Sequence, residues 1–168
     1  MAHTIPLTQG KVAIVDDEDY GVLSQFKWFA QTNHKGDIWY ARRYVYRGIM
    51  NGKVKLELVS MHRQILGLQK GDKTEGDHQN GDGLDNRREN LRRGTGTQNR
   101  WNRHRRSQFS SRYKGVKWSA SKGKWEVNIG YNTRRIYLGA FSDEAWAAVI
   151  YNLAAIIYHG EFASLNDL

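Results

Sequence analysis

Asp77 and His78 stand side by side in a segment, 69–94, where Gly, Asp and Asn dominate and apolar residues nearly vanish. Asn90 follows His78 by twelve residues, and Asn99 follows Asn90 by nine. An imidazole with an ordinary pKa near 6.5 can take a proton from water at neutral pH. A carboxylate such as Asp77 and an amide oxygen such as Asn99 are hard ligands that suit Mg²⁺. The available chemistry is therefore water activation beside one divalent cation. Asp77-His78 alone would read as a surface turn; it is the register with Asn90 and Asn99 that favours a site. Neighbours on a strand point to opposite faces, so both can serve one site only if a strand ends and bends there. A helix over about 95–104 must then bring in Asn99.

The run Asp77-His78-Gln79-Asn80-Gly81-Asp82-Gly83-Leu84-Asp85-Asn86-Arg87-Arg88-Glu89-Asn90-Leu91-Arg92, followed by Thr97-Gln98-Asn99-Arg100, resembles the HNH nuclease motif. That resemblance implies a ββα-metal unit in which His78 is the general base and Asp77 and Asn99 hold one divalent metal. The metal is Mg²⁺, with Mn²⁺ as the alternative. Asn90 ties the loop by hydrogen bonds and orients His78. The last residue is Asn99 where the family's name has His, which disfavours zinc and leaves Mg²⁺ and Mn²⁺ open. His62 reads as packed or capping rather than as a ligand, and His104 is an alternative ligand. A calcium loop starting at Asp77 would need Glu at its twelfth position, where Arg88 stands.

Charge points to the partner. Residues 87–135 hold fifteen Lys and Arg against two acids, a net +13, while the rest of the chain carries −4. Such a block repels itself unless a polyanion neutralises it, so double-stranded DNA is the expected partner. No membrane partner is expected, because the basic stretch lacks a long amphipathic apolar face.

Residues 113–168 read as three short strands (113–118, 124–131, 134–141) and a helix capped by Ser142 and ended by Gly160. Tyr113-Lys114-Gly115-Val116-Lys117, Gly123-Lys124-Trp125-Glu126-Val127-Asn128-Ile129 and Arg135-Ile136-Tyr137-Leu138-Gly139-Ala140-Phe141 resemble the AP2/ERF DNA-binding domain. The resemblance implies a three-stranded sheet laid in the major groove and braced by the helix. Its contact residues would be Lys114, Lys117, Lys124, Trp125, Arg135 and Tyr137. Arg100 and Arg103 add basic contacts just upstream. Ser119 and Gly130 stand where the family has Arg, and Asn128 where it has an acid, which implies looser sequence discrimination.

Upstream, 11–15, 28–30 and 38–46 read as strands, and Asn51-Gly52 as a two-residue hairpin turn. Ser60 would cap a short helix through 61–66. The fold class is α+β: an N-terminal sheet (1–68) and a ββα unit (69–104), a linker (105–112), then the AP2/ERF-like module (113–168). With 168 residues, 39% apolar and six Trp, two small aromatic-based cores fit better than one aliphatic core. The absence of Cys excludes disulfides, thiol nucleophiles and Cys-based zinc sites. No leader or membrane-spanning segment is evident, so the expectation is a cytoplasmic protein of a bacterial or phage-infected cell, monomeric rather than dimeric.

These readings combine into a homing-type HNH endonuclease that nicks DNA, with an AP2/ERF-like targeting module. The rival reading is a non-catalytic DNA-binding regulator carrying a relic of the motif.

Overall fold

The computed structural model describes residues 1–33, 36–103 and 110–168. Most of the linker expected at 105–112 and the alternative ligand His104 lie outside the described residues. The class is α+β, with several small antiparallel sheets and few helices. Two compact units divide between Gly96 and Thr97, upstream of the boundary expected after 104.

In the first unit, β1 (Ala2–Pro6) pairs antiparallel with β2 (Val12–Asp16). Helix α1 (Asp17–Leu23) follows, with Asp17, Glu18 and Asp19 in its first turn, where the helix dipole favours negative charge. Next come β3 (Phe29–Thr32), β4 (Trp39–Met50) and β5 (Lys53–Ser60), a sheet with β4 in the middle. The turn between β4 and β5 is the expected Asn51-Gly52, both at positive φ. Helix α2 (Met61–Ile65) packs Met61 into a core of Ile5, Ala13, Val15, Leu23, Trp28 and Ala41. The buried Trp28 indole donates to the Leu23 carbonyl at 2.8 Å, so the core holds an aromatic without stranding its N–H. Strands β6 (Glu75–His78) and β7 (Leu91–Gly94) form a separate antiparallel pair, followed by α3 (Gly96–Trp101).

In the second unit, β8 (Val116–Ser119), β9 (Lys124–Tyr131) and β10 (Arg134–Phe141) make an antiparallel sheet with β9 central. Helix α4 (Glu144–His159) lies on one face. Asp143 rather than Ser142 caps it, its carboxylate accepting from Trp146 N at 2.6 Å. Ala147, Ala148, Ala154 and Ala155 face the sheet. Their short side chains let Tyr151 from the helix and Tyr113, Val116, Val127 and Ile129 beneath it close a second core. The cores are thus two, each with aromatics.

Trp101, at the end of α3, stacks on His159 with ring centroids 4.5 Å apart and planes 10° from parallel. Tyr131 lies 5.8 Å away. Lys114 donates its ammonium to the Trp101 carbonyl. These contacts assign Trp101 to the second unit. The sequence reading separated them because the Ser- and Arg-rich stretch after 104 resembles a linker.

Candidate nucleic-acid interface and the His78 loop

Side chains alternate along each strand, so the sheet of the second unit has two unlike faces. Val127 and Ile129 turn toward α4; Lys124, Glu126, Asn128 and Gly130 therefore turn away. The register carries this outward set across the sheet. Lys117 lies beside Glu126, Ser119 beside Lys124, Tyr137 beside Asn128, and Arg135 beside Gly130. Lys117, Lys124, Arg135 and Tyr137 are all exposed. The expected contact set is thus gathered on one open face, with two exceptions.

Trp125 shares the parity of Val127 and sits on the helix side, its ring edge-on to Trp118 at 5.0 Å and packed against the core. It braces the sheet rather than facing outward. Lys114 is turned inward onto the Trp101 carbonyl, and burial pushes its amine down to about 8. Arg100 and Arg103 are exposed at the end of α3 and just beyond.

One residue on this side escaped the sequence reading. Lys122, in the turn before β9, pairs with Glu126 at 2.8 Å and lies 5.0 Å from the centre of the Tyr137 ring. The hydrogen bond holds the Lys122 amine above its ordinary range and the Glu126 carboxyl below its own. It also offsets the one acid on a basic face. The i,i+4 spacing of the pair is the signal that could have found it.

In the first unit, His78 ends β6 and is buried. Its Nε2 lies 3.4 Å from the Asn86 amide oxygen, so Asn86, a fully buried residue absent from the expected set, is its hydrogen-bond neighbour. Asn90 ties the loop instead. Its amide donates to the Asp85 carbonyl at 2.7 Å and accepts from Asn80 N at 3.0 Å. Arg87 grips the Asp85 carboxylate at 2.7 and 2.8 Å and holds it below the usual carboxylate range. Asn86 N donates to Ile14 O, and Ile14 N to Leu84 O, sewing the loop to β2.

The donors fit a divalent cation poorly. One Asp77 carboxylate oxygen is held by both Nε and Nη2 of Arg92, at 2.8 and 2.7 Å, and both side chains are nearly buried. A metal ion at Asp77 would have to compete with that guanidinium. Asn99 sits on the short helix α3. Among the described residues no three His, Cys, Asp or Glu side chains gather in a group that could hold a metal, nor is any helix long and apolar enough to cross a membrane.

The His62 ring meets that of His78 edge-on, centroids 4.8 Å apart, and Tyr40 covers both. Burial, then the charges of His78, Arg63 and Arg42, push His62 down to about 3. Burial also lowers His78, against the opposing pull of Asn86 and nearby carboxylates. Both rings are neutral at pH 7. The unfolded chain takes up protons below about pH 6.5 while folded His62 does not, so stability is full above that pH and falls toward pH 3. His62 alone should cost the first unit about 2 kcal/mol between pH 7 and pH 5. Urea unfolding at the two pH values should show this, and His62→Phe should remove that share of the difference. An unchanged pH dependence in the variant would contradict the assignment.

No protein-family profile matches the chain. It is 43% identical over 60 residues to an AP2/ERF and B3 domain-containing protein of Oryza sativa subsp. japonica, covering 36% of this chain and 16% of that protein. It is 38% identical over 69 residues to an AP2-like ethylene-responsive transcription factor of Arabidopsis thaliana, covering 38% and 20%. A second Arabidopsis ethylene-responsive transcription factor is 38% identical over 58 residues, covering 33% and 14%. The chain spans a fifth or less of the length of these relatives. Two of these three are named as transcription factors and the third as an AP2/ERF and B3 domain-containing protein; none of the three is named as a nuclease. This likeness overturns the expectation that the chain is a metal-dependent endonuclease and supports the AP2/ERF resemblance.

Proposed function

We propose that the chain is a non-catalytic regulator that binds double-stranded DNA through the open face of the β8–β10 sheet. The observation that carries this reading is the gathering of Lys117, Lys124, Arg135 and Tyr137 on the one face that α4 leaves uncovered. The lengths matched by these relatives, 58 to 69 residues, are close to that of the second unit. A twisted antiparallel sheet can enter the major groove, where Arg135 can reach guanine edges and the lysines phosphates. Tyr137 packs on sugars or bases. Arg100 and Arg103 add phosphate contacts that hold the chain on DNA without selecting sequence. Asn128, Gly130 and Ser119 leave the face with few forked donors, consistent with modest discrimination. The hydrogen-bonded loop around Asn90 is a scaffold of the first unit.

Binding to duplex DNA, followed by fluorescence anisotropy in EDTA, tests this. Arg135→Ala should weaken binding on the order of tenfold and relax specificity at one position, while Lys117→Ala should weaken all sequences alike and flatten the salt dependence by about one. Binding unaffected by either change would overturn the assignment of the face. Strand scission in Mg²⁺ that His78→Ala abolishes would overturn the non-catalytic reading.

A further inference from the structure

Among the described residues, the β4–β5 hairpin presents an apolar face that stays largely open, with Phe29 stacked on Tyr44 at its base. Cross-strand pairing puts Tyr44 beside Leu58, Tyr46 beside Leu56, and Ile49 beside Val54. Partners share a face, and the six side chains are 41 to 68% exposed. The reverse face of the same ribbon carries Arg47, Lys53, Lys55 and Glu57 among its residues, with Arg47 paired to Glu57 at 2.6 Å. The ribbon is therefore amphipathic, yet its apolar side faces outward.

The register break makes this face continuous. Two residues, Arg47 and Gly48, stand opposite Lys55, and Gly48 takes φ +101°. Without the bulge, strict alternation would put Gly48 on the apolar face and turn Ile49 to the charged side. The bulge restores Ile49 beside Val54 and extends the apolar row to the tip.

We propose that this face is a self-association surface, and that its occupant is the same hairpin of a second copy of the chain. Two observations favour that occupant. The six side chains expose roughly 650 Å² together, above the usual largest apolar patch of a monomer and near the ~800 Å² per partner of a stable interface. The six side chains carry no charge, and Arg42, which shares their side of β4 at its base, is turned onto Gln31 and the Tyr40 ring, so the patch offers little repulsion to a second copy although the protein has a net charge of +9. Twofold pairing of one patch with itself is the commonest way such a face is closed. The monomer expected from sequence alone gives way to a dimer, independently of how the second unit meets DNA.

Analytical ultracentrifugation of the full chain across about 1–100 μM tests this. The wild type should approach twice its 19.4 kDa mass. Leu56→Glu, and separately Tyr46→Lys, should return it to the monomer, while Lys55→Glu on the reverse face should leave the dimer in place. Circular dichroism of each variant checks that the fold is kept. A wild type that stays monomeric throughout, or a dimer indifferent to both substitutions, would overturn the proposal. So would a monomeric wild type whose DNA binding Leu56→Glu weakens, because the face would then belong to nucleic acid.

Discussion

Replacing Gly115 by alanine should strongly destabilise the second unit. Gly115 takes φ +78°, where a side chain costs about 1–2 kcal/mol. The added methyl would also overlap the ring of Tyr151 and stand 2.9 Å from the Asn128 carbonyl. Tyr151 cannot yield easily, since it is buried in the centre of the helix–sheet core, and overpacking of that kind costs about 1–3 kcal/mol more. The Gly115 carbonyl also accepts from Asn128 N at 2.9 Å, so moving the backbone away breaks the joint between β9 and the entry to β8. Together these reach about 2–5 kcal/mol, a large share of the stability of a small unit. Thermal unfolding of the full chain, followed by Trp fluorescence, should show the second-unit transition moved down by about 10 °C or more in Gly115→Ala, at several degrees per kcal/mol. Gly130→Ala is the control, with nothing nearer than 4.0 Å to the new methyl. A Gly115→Ala protein as stable as that control would refute the packing argument.

Asn90→Ala should cost the first unit about 2–4 kcal/mol, because it strands two backbone groups of the 80–85 loop at once. The Asp85 carbonyl loses its donor and Asn80 N loses its acceptor, and Asp85 is buried. Asn90→Asp keeps an acceptor for Asn80 N but can no longer donate to Asp85 when ionised, so it should also destabilise. Gln79→Ala removes an exposed bond to the Glu89 carbonyl and should cost well under 1 kcal/mol. Urea unfolding of the three variants separates these cases. Equal midpoints for Asn90→Ala and Gln79→Ala would show that the loop does not depend on Asn90.

What was legible in the sequence tracks how local its cause is. The Asn51-Gly52 turn, the three strands of the second unit and the long Ala-rich helix follow from turn chemistry and periodicity, and they stand within a few residues of their expected places. Helix α1 was not legible. Its sequence, Asp-Glu-Asp-Tyr-Gly-Val-Leu, buries only Leu23, so it leaves no apolar period. The first strand was missed because its pairing with β2 is a tertiary fact. For the proposed DNA face, residue types were legible but sidedness was not. Trp125 looks like a contact until its parity with Val127 places it under the helix. Lys114 looks like one until Trp101 takes its ammonium. The pairing of Asp77 with Arg92 was equally hidden, since cross-strand neighbours fifteen residues apart leave no mark in a linear motif. The motif spacing was legible, and it led to a nuclease reading that the likeness to AP2/ERF proteins overturned.

The stack of Trp101 on His159 bears on how such a chain can be taken apart. A fragment beginning at residue 113 keeps every strand of the sheet yet removes the carbonyl that receives the Lys114 ammonium and bares the ring of His159. A fragment beginning near Thr97 carries both. The unit of exchange, whether by recombination or at the bench, thus starts at the short helix and not at the Ser- and Arg-rich joint that the composition suggests. Any new partner fused ahead of the second unit must leave Trp101 joined to it.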